Sequence, residues 1–212
     1  QYSITAIGSV ILQVAVNSLG SLSVAAVTAG GKVLNFLACP FDALGSTMAT
    51  YGAQNVGASK YERLNKGLYS ASLMGCGYSL LAFAIAWFFG RSLIGLFVSG
   101  DSSAQLIELA RTHMLVNVLA YPLLTLVNVV RFMIQGMGFS MFAILAGVME
   151  MIARSLAGMF LVPALGFVGA AMGSPLAWVA ADIFLVPAYF RCRRVLMSQA
   201  HHLHVTTEES GV

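Results

Sequence analysis

The chain has 212 residues, of which 58% are hydrophobic and 9% are charged, and its mean hydropathy is +0.84. An ordinary soluble domain carries about a quarter charged residues, so this composition excludes a water-soluble globule. The net charge of +3 does not indicate nucleic-acid binding, because the basic residues neither alternate with aromatic residues nor gather on one soluble surface.

Long uncharged runs predict an all-α, polytopic membrane protein. Residues 1–31, 67–90 and 155–181 carry no charge, and each run exceeds the roughly 20 residues that a helix needs to cross the hydrocarbon core. Glycine, proline and charged residues divide the chain into six predicted spans. In chain order these are residues 2–19, 23–52, 66–90, 104–136, 141–162 and 170–190. We expect Pro122 to bend the fourth span, because proline interrupts helical hydrogen bonding.

The basic residues predict the orientation of these spans. Seven lie in the 2–3 loop, near the 4–5 loop or at the C-terminal end, whereas only Arg91 and Arg111 lie near the opposite loops. The seven are Lys60, Arg63, Lys66, Arg131, Arg191, Arg193 and Arg194. By the positive-inside rule, residues 53–66 and 191–212 face the cytoplasm and residues 91–103 face outward. We therefore expect a multi-pass plasma-membrane protein with both ends cytoplasmic, composed of a lobe (1–195) and a polar, disordered tail (196–212).

Five charged residues fall inside the predicted spans: Lys32, Asp42, Glu150, Arg154 and Asp182. A charge at mid-membrane costs about 2.5–3.5 kcal/mol even on the lenient insertion scale, so each needs a partner or water. Glu150 and Arg154 are spaced i, i+4, which predicts an ion pair that either pins its helix or lines a transport path. Lys32 and Asp42 are about 15 Å apart along one helix and cannot pair. Asp42 and Asp182 face either the helix bundle or the cytoplasmic headgroups.

Neutral polar residues add to this set on the fourth span, where Asn117, Asn128 and Gln135 are expected to form hydrogen bonds between helices. No constellation for catalysis or metal binding accompanies them. His113 lies near the outer end of its span, and the sequence has no HExxH motif, phosphate loop or CxxC pair. We therefore predict that the chain is not an enzyme and holds no metal or cofactor.

Four motifs in order resemble the multidrug and toxin extrusion (MATE) family. "AQNVGA" (53–58), followed by a basic stretch, resembles the AQN-x-G-A-type sequence that ends the second helix of each half, and its Gln54, Asn55 and Gly57 form the signature loop. "RFMIQGMG" (131–138) resembles the QG-x-G turn, "MEMIAR" (149–154) resembles the E-x-x-x-R of the next helix, and "LGSLSVAAV" (19–27) resembles the first external turn.

This resemblance implies the C-terminal six-helix lobe of a twelve-helix antiporter. Such a protein exports organic, often cationic, compounds against a Na⁺ or H⁺ gradient, and its cavity forms between two lobes. The implied partners are the N-terminal six-span lobe of the same polypeptide, the lipid bilayer and small organic cations. Some branches carry an acidic cation ligand on the fourth helix of this lobe, but no acid lies between Met114 and Gly138 here. The coupling ion is therefore expected in the N-terminal lobe.

Two other functions remain open. A flippase or polysaccharide exporter of the same superfamily would share the fold and favour a cavity rich in Arg and Lys, whereas only Lys32 and Arg154 are predicted to be embedded. A complete six-span scaffold or channel is the second alternative. An upstream reading frame encoding six further spans would exclude it.

Overall fold

The computed structural model describes residues 2–98 and 104–209, and it describes side chains within 4–98 and 104–200. The described backbone is helical with short connections and contains no strand, so the all-α prediction is confirmed. In chain order the elements are α1 (Tyr2–Asn17), α2 (Ser21–Gly57), α3 (Glu62–Gly95), α4 (Ala104–Leu119), α5 (Tyr121–Gly136), α6 (Ser140–Leu156), a π-helical turn (Ala157–Leu161), α7 (Val162–Leu165), α8 (Phe167–Ala171) and α9 (Gly173–Glu209).

The helices have the length and apolar composition of a polytopic membrane protein. In the described ranges, four stretches are long and apolar enough to cross a bilayer, namely Ser21–Gly57, Glu62–Gly95, Ser140–Leu165 and Gly173–Ala200. The bent pair α4 and α5 provides a fifth. The first predicted span corresponds to a shorter apolar helix, Ile4–Asn17. Large apolar side chains such as Leu73, Leu80 and Phe88 of α3 are exposed, as expected of a surface that faces lipid.

The fourth predicted span is broken where the sequence places Pro122. α4 and α5 meet at an angle of 50°, and Pro122 occupies the first turn of α5, where its missing N–H removes no helical hydrogen bond. The prediction of a bend in this span is confirmed. Both segments pack on α2 and α3, but α5 also packs on α6 and α9, whereas α4 also packs on α8.

Helices extend into two polar segments that the sequence predicts as a loop and a tail. α2 continues past residue 52 to Gly57 and α3 begins at Glu62, so the predicted loop 53–66 shrinks to four residues. α9 continues past residue 190 to Glu209, where the sequence predicts a disordered tail from residue 196. Residues 210–212 lie outside the described part. Polar residues at the end of a long helix show no apolar periodicity. The hydrophobic pattern therefore does not predict the extension of α2 or of α9.

α2 is the central helix of the bundle and packs on α5, α4 and α3, while α6 packs between α9 and α1. Small residues allow these close crossings, because helices in lipid associate through packing rather than through a hydrophobic force. A Cβ atom at Gly136 would overlap the carbonyl group of Ala49, and one at Gly75 would overlap Thr125. By contrast, a Cβ atom at Gly77 would meet nothing within 4 Å.

Pro40 interrupts α2 near its middle, and neighbouring helices hold the backbone there. Proline cannot donate to the carbonyl group four residues earlier and crowds the preceding turn. The hydroxyl group of Tyr78 on α3 donates to the carbonyl of Leu37 (3.0 Å), and that of Tyr121 on α5 donates to the carbonyl of Leu34 (2.9 Å). Phe41 packs edge-on against both tyrosine rings. Three helices are thereby joined around the proline.

Candidate functional site

One face of α2 exposes polar side chains along most of its length. These polar residues recur every three or four positions along α2, which places them on one side of the helix. We call this surface the polar face. It consists of Thr28, Lys32, Asn35, Cys39, Asp42, Ser46 and Thr50, all of which are exposed.

The hydrogen bonds within the polar face satisfy its hydroxyl groups but not its charged side chains. The hydroxyl groups of Thr28, Ser46 and Thr50 each donate to the carbonyl oxygen four residues earlier in α2, so they are satisfied within the helix. Lys32 forms no ion pair with any residue in the described ranges. A charge facing lipid would cost about 2.5–3.5 kcal/mol. The polar face therefore requires water or a second protein surface opposite it.

Asp42 is the acidic residue of the polar face. Its Oδ1 atom accepts a long hydrogen bond of 3.5 Å from the Nδ2 atom of Asn128 on α5. Asn128 is itself buried, so this contact joins the exposed face of α2 to the interior of the lobe. A carboxylate with one weak donor retains most of its capacity to bind a cation.

A cavity of about 200 Å³ opens beside Asn35, between α2, the α4–α5 break and α9. Tyr121 and Trp178 form its aromatic wall, and His113 and Asn117 contribute polar groups. The sequence places His113 near the outer end of a span, but its Nδ1 atom is buried and has no hydrogen-bond partner among the described residues. The cavity is smaller than the 300–1,000 Å³ typical of sites for whole drug-sized ligands. It can accept only part of such a molecule.

A second group of charged residues is buried inside the lobe, between α5, α6 and α9. Glu150 on α6 is 2% exposed and bridges two arginines. Its Oε1 atom accepts a hydrogen bond from Arg131 on α5, and its Oε2 atom lies 3.2 Å from the Nη2 atom of Arg154. The ion pair predicted between Glu150 and Arg154 is therefore present. We call Arg131, Glu150, Arg154 and Asp182 the buried ion cluster.

Asp182 on α9 completes this cluster without a hydrogen bond. It is 8% exposed, and neither carboxylate oxygen accepts a hydrogen bond from a described residue. It is close enough to Arg131 and Glu150 to interact electrostatically with both. Of the two positions that the sequence allows for Asp182, the structure shows the one inside the bundle.

Arg131 is the residue that the sequence interpretation misplaces. It is predicted near the 4–5 loop as a cytoplasmic charge, but the structure buries it within α5 and pairs it with Glu150. The two helices form a hairpin closed by a three-residue link, in which Arg131 lies seven residues before Gly138 and Glu150 twelve after it. The offset of five residues is about 7.5 Å. An arginine side chain can bridge about that distance. The positions of Arg131 and Glu150 relative to the turn were therefore a signal for this ion pair that the sequence contains.

The signature residues end α2 rather than forming a loop. The N–H of Lys60 donates to the carbonyl of Asn55 (2.8 Å), and the N–H of Ser59 donates to the carbonyl of Val56 (3.0 Å). With Ser59 at a φ of 56°, this pattern is a Schellman cap.

The remaining signature and polar residues divide between the surface and the interior. Gln54 is exposed, Asn55 is buried and Gly57 is the last residue of α2. Gln135 is half-buried near the end of α5. Most of the predicted site residues thus fall into an exposed set on α2 and a buried set inside the lobe, and the long hydrogen bond between Asp42 and Asn128 connects the two sets.

Solved structures share this fold. A structure titled "Crystal structure of MATE in the bent conformation" superposes with a TM-score of 0.77 at 20% identity, over 86% of this chain and 41% of that chain. An outward-facing multidrug resistance MATE family transporter of the MOP superfamily gives 0.74 at 22% identity, over 87% and 41%. A MOP superfamily transporter from Pyrococcus furiosus, whose title reports a binding pocket of reverse polarity, gives 0.74 at 22% identity, over 87% and 40%.

The chain thus spans less than half the length of the solved structures that it matches. A comparison with curated proteins finds no match. The MatE family model matches residues 1–159, three quarters of the sequence. Its members are transporters, so the prediction that the chain is not an enzyme is confirmed. On the strength of that match, the chain belongs to the MatE family.

Proposed function

We propose that this chain is the C-terminal lobe of a twelve-helix exporter, and that its polar face lines a cavity closed by the N-terminal lobe of the same polypeptide. The observation that supports this proposal most directly is the polar face itself. A helix that packs centrally in a membrane lobe exposes seven polar side chains in one row, although lipid disfavours such a surface. A facing lobe and a water-filled space provide the polar surroundings that the row requires.

The proposed substrates are small organic cations. Asp42 offers a carboxylate near the middle of the polar face, and its one hydrogen bond is long. The adjoining cavity presents the rings of Tyr121 and Trp178, which attract cations through their π-faces. A molecule with a cationic centre and an aromatic group could contact both features. Export coupled to Na⁺ or H⁺ completes the proposal, with the coupling ion bound in the N-terminal lobe.

Export of acidic lipids or polysaccharides is less well supported. Two of the basic groups that could line such a cavity, Arg131 and Arg154, are buried and engaged with Glu150. Within the described part of the polar face, Lys32 is the basic residue and Asp42 balances it. The arrangement therefore favours a cationic ligand over a pyrophosphate.

A dye-efflux assay on the full transporter polypeptide in a pump-deficient host tests the proposal. Asp42→Asn should reduce efflux of a cationic dye by about tenfold, which corresponds to about 1.4 kcal/mol of lost attraction. The matched control is Glu62→Gln, which removes an exposed acid that lies outside the polar face. Equal efflux by both variants at normal expression would exclude Asp42 from the substrate path, and export of anionic lipid instead of dye would favour the flippase.

A further inference from the structure

A basic groove lies at the end of the lobe that carries the signature residues. It has a volume of about 590 Å³ and runs between the first turns of α3 and the end of α9. Lys60, Arg63 and Lys66 line one wall, and Met197 and Ala200 line the other. We call this surface the basic groove.

The cations of the basic groove outnumber the acids that line it. Lys60, Arg63 and Lys66 recur every third residue and therefore lie on one side of the chain as α3 begins. None of them forms an ion pair within the portion that the structure describes. Glu62 is the one acid that lines the groove, which leaves a net charge of +2. The positive end of the 34-residue helix α3 adds to this potential.

α9 contributes a fourth cation. Tyr189 donates a hydrogen bond to the side chain of Asn65 on α3 (2.8 Å), which fixes α9 beside the start of α3. Arg193, Met197 and Ala200 follow at intervals of four, four and three residues, so they lie on the same face of α9 as Tyr189. The Nε atom of Arg193 is buried and has no hydrogen-bond partner among the described residues. Arg193 therefore lies one turn deeper than the groove, on the face that lines it.

The position of the groove limits what it can bind. It lies where α2 ends at Gly57 and α3 begins at Glu62, beside the part of α9 near Ala200, and hence at the level of the lipid headgroups. One wall is basic and the other is apolar. A phospholipid presents this same combination, with an anionic phosphate beside an apolar glycerol backbone and acyl chains. Basic pockets at the ends of transmembrane helices recognise such headgroups.

We propose that the basic groove binds the headgroup of an anionic phospholipid. The phosphate lies among Lys60, Arg63 and Lys66, and the apolar part of the glycerol backbone packs against Met197 and Ala200. This inference goes beyond the proposed function, because it requires only a membrane-embedded lobe and not transport. It also gives the basic stretch after the signature a role in binding in addition to its effect on topology.

Lipid binding to the purified full transporter polypeptide tests the proposal. Native mass spectrometry with dioleoylphosphatidylglycerol and dioleoylphosphatidylcholine should show preferential retention of phosphatidylglycerol. Lys60→Gln/Lys66→Gln should lower that affinity about 30-fold, or about fivefold for each charge near the anionic group. Lys60→Arg/Lys66→Arg should retain binding. The matched control, Arg191→Gln/Arg194→Gln, removes two exposed charges at the same end but outside the groove and should change affinity less than threefold.

Three results would overturn the proposal. They are equal retention of both lipids, equal loss in both glutamine double variants, and displacement of the lipid by soluble glycerophosphate at a concentration equal to that of the lipid. The last result would identify a site for soluble anions rather than for a phospholipid. Because the readout is binding and not efflux, these results are independent of the dye-efflux assay.

Discussion

Glu150→Gln is expected to destabilise the lobe strongly, because it keeps the size of the side chain and removes the charge at the centre of the buried ion cluster. Glu150 is 2% exposed and receives hydrogen bonds or ion pairs from Arg131 and Arg154. Removing one partner of a buried ion pair typically costs about 3–5 kcal/mol, since the other charge stays buried and uncompensated. Here two guanidinium groups would remain, with Asp182 as the carboxylate left in the cluster.

Two controls separate this effect from a general loss of charge. Asp182→Asn removes a negative charge from the same cluster, but neither oxygen of Asp182 accepts a hydrogen bond from a described residue. We expect that change to alter stability by about 1 kcal/mol or less. Arg91→Gln breaks the surface pair with Glu108, whose side chains are 68% and 49% exposed. Exposed pairs contribute about 0–1 kcal/mol.

Thermal unfolding of the full polypeptide in detergent provides the measurement. At about 2–4 °C per kcal/mol, Glu150→Gln should lower the midpoint by roughly 6–20 °C and each control by no more than about 4 °C. The double variant Glu150→Gln/Arg154→Gln should lose less than the sum of the two single variants, because the residues are coupled. A Glu150→Gln midpoint within the range of the controls, or strictly additive losses, would refute the account of the cluster.

Three further predictions concern topology, packing and completeness. Single cysteines at Ser92 and Ser198, on a background without native cysteines, should differ in labelling by an impermeant thiol reagent in intact cells, with Ser92 outside; equal labelling would contradict the orientation. Gly136→Ala should cost about 1–3 kcal/mol in thermal unfolding because its Cβ would overlap the Ala49 carbonyl group, whereas Gly77→Ala, which meets nothing within 4 Å, should be nearly neutral. The 212-residue chain expressed alone should not export cationic dyes, and co-expression of the N-terminal lobe should restore export; equal export by the chain alone would mean that it is a complete transporter.

Hydrophobic runs, and the glycine and proline residues that separate them, predicted the order and approximate positions of the helical segments, including the break at Pro122. Each of these signals comes from residues close together in the chain, so a single sequence is enough to detect it. The end of α2 was harder to predict, because "AQNVGASK" has the polarity of a loop. Its Schellman cap depends on Ser59 adopting a φ of 56°, a conformation in which glycine is the usual residue.

Pairing within one helix can be predicted from spacing alone, whereas pairing between helices also requires the register in which the two helices pack. The i, i+4 spacing of Glu150 and Arg154 is visible in the sequence, whereas the contact of Glu150 with Arg131 depends on the register of the α5–α6 hairpin. The polar face of α2 was visible only in part. Lys32 and Asp42 were identified, but the exposure of the row that connects them depends on which side of α2 its neighbours cover.

The tyrosine contacts around Pro40 have a consequence for how the lobe can move. A proline in mid-helix is an obvious hinge, but bending α2 there would break the bonds from Tyr78 and Tyr121 to its carbonyl groups. Each such bond contributes about 1 kcal/mol, and the edge-on packing of Phe41 would be lost with them. We therefore expect α2 to keep its shape during a transport cycle. In the proposed two-lobe exporter, access to the cavity would then alternate by rotation of this lobe as a rigid body against its partner.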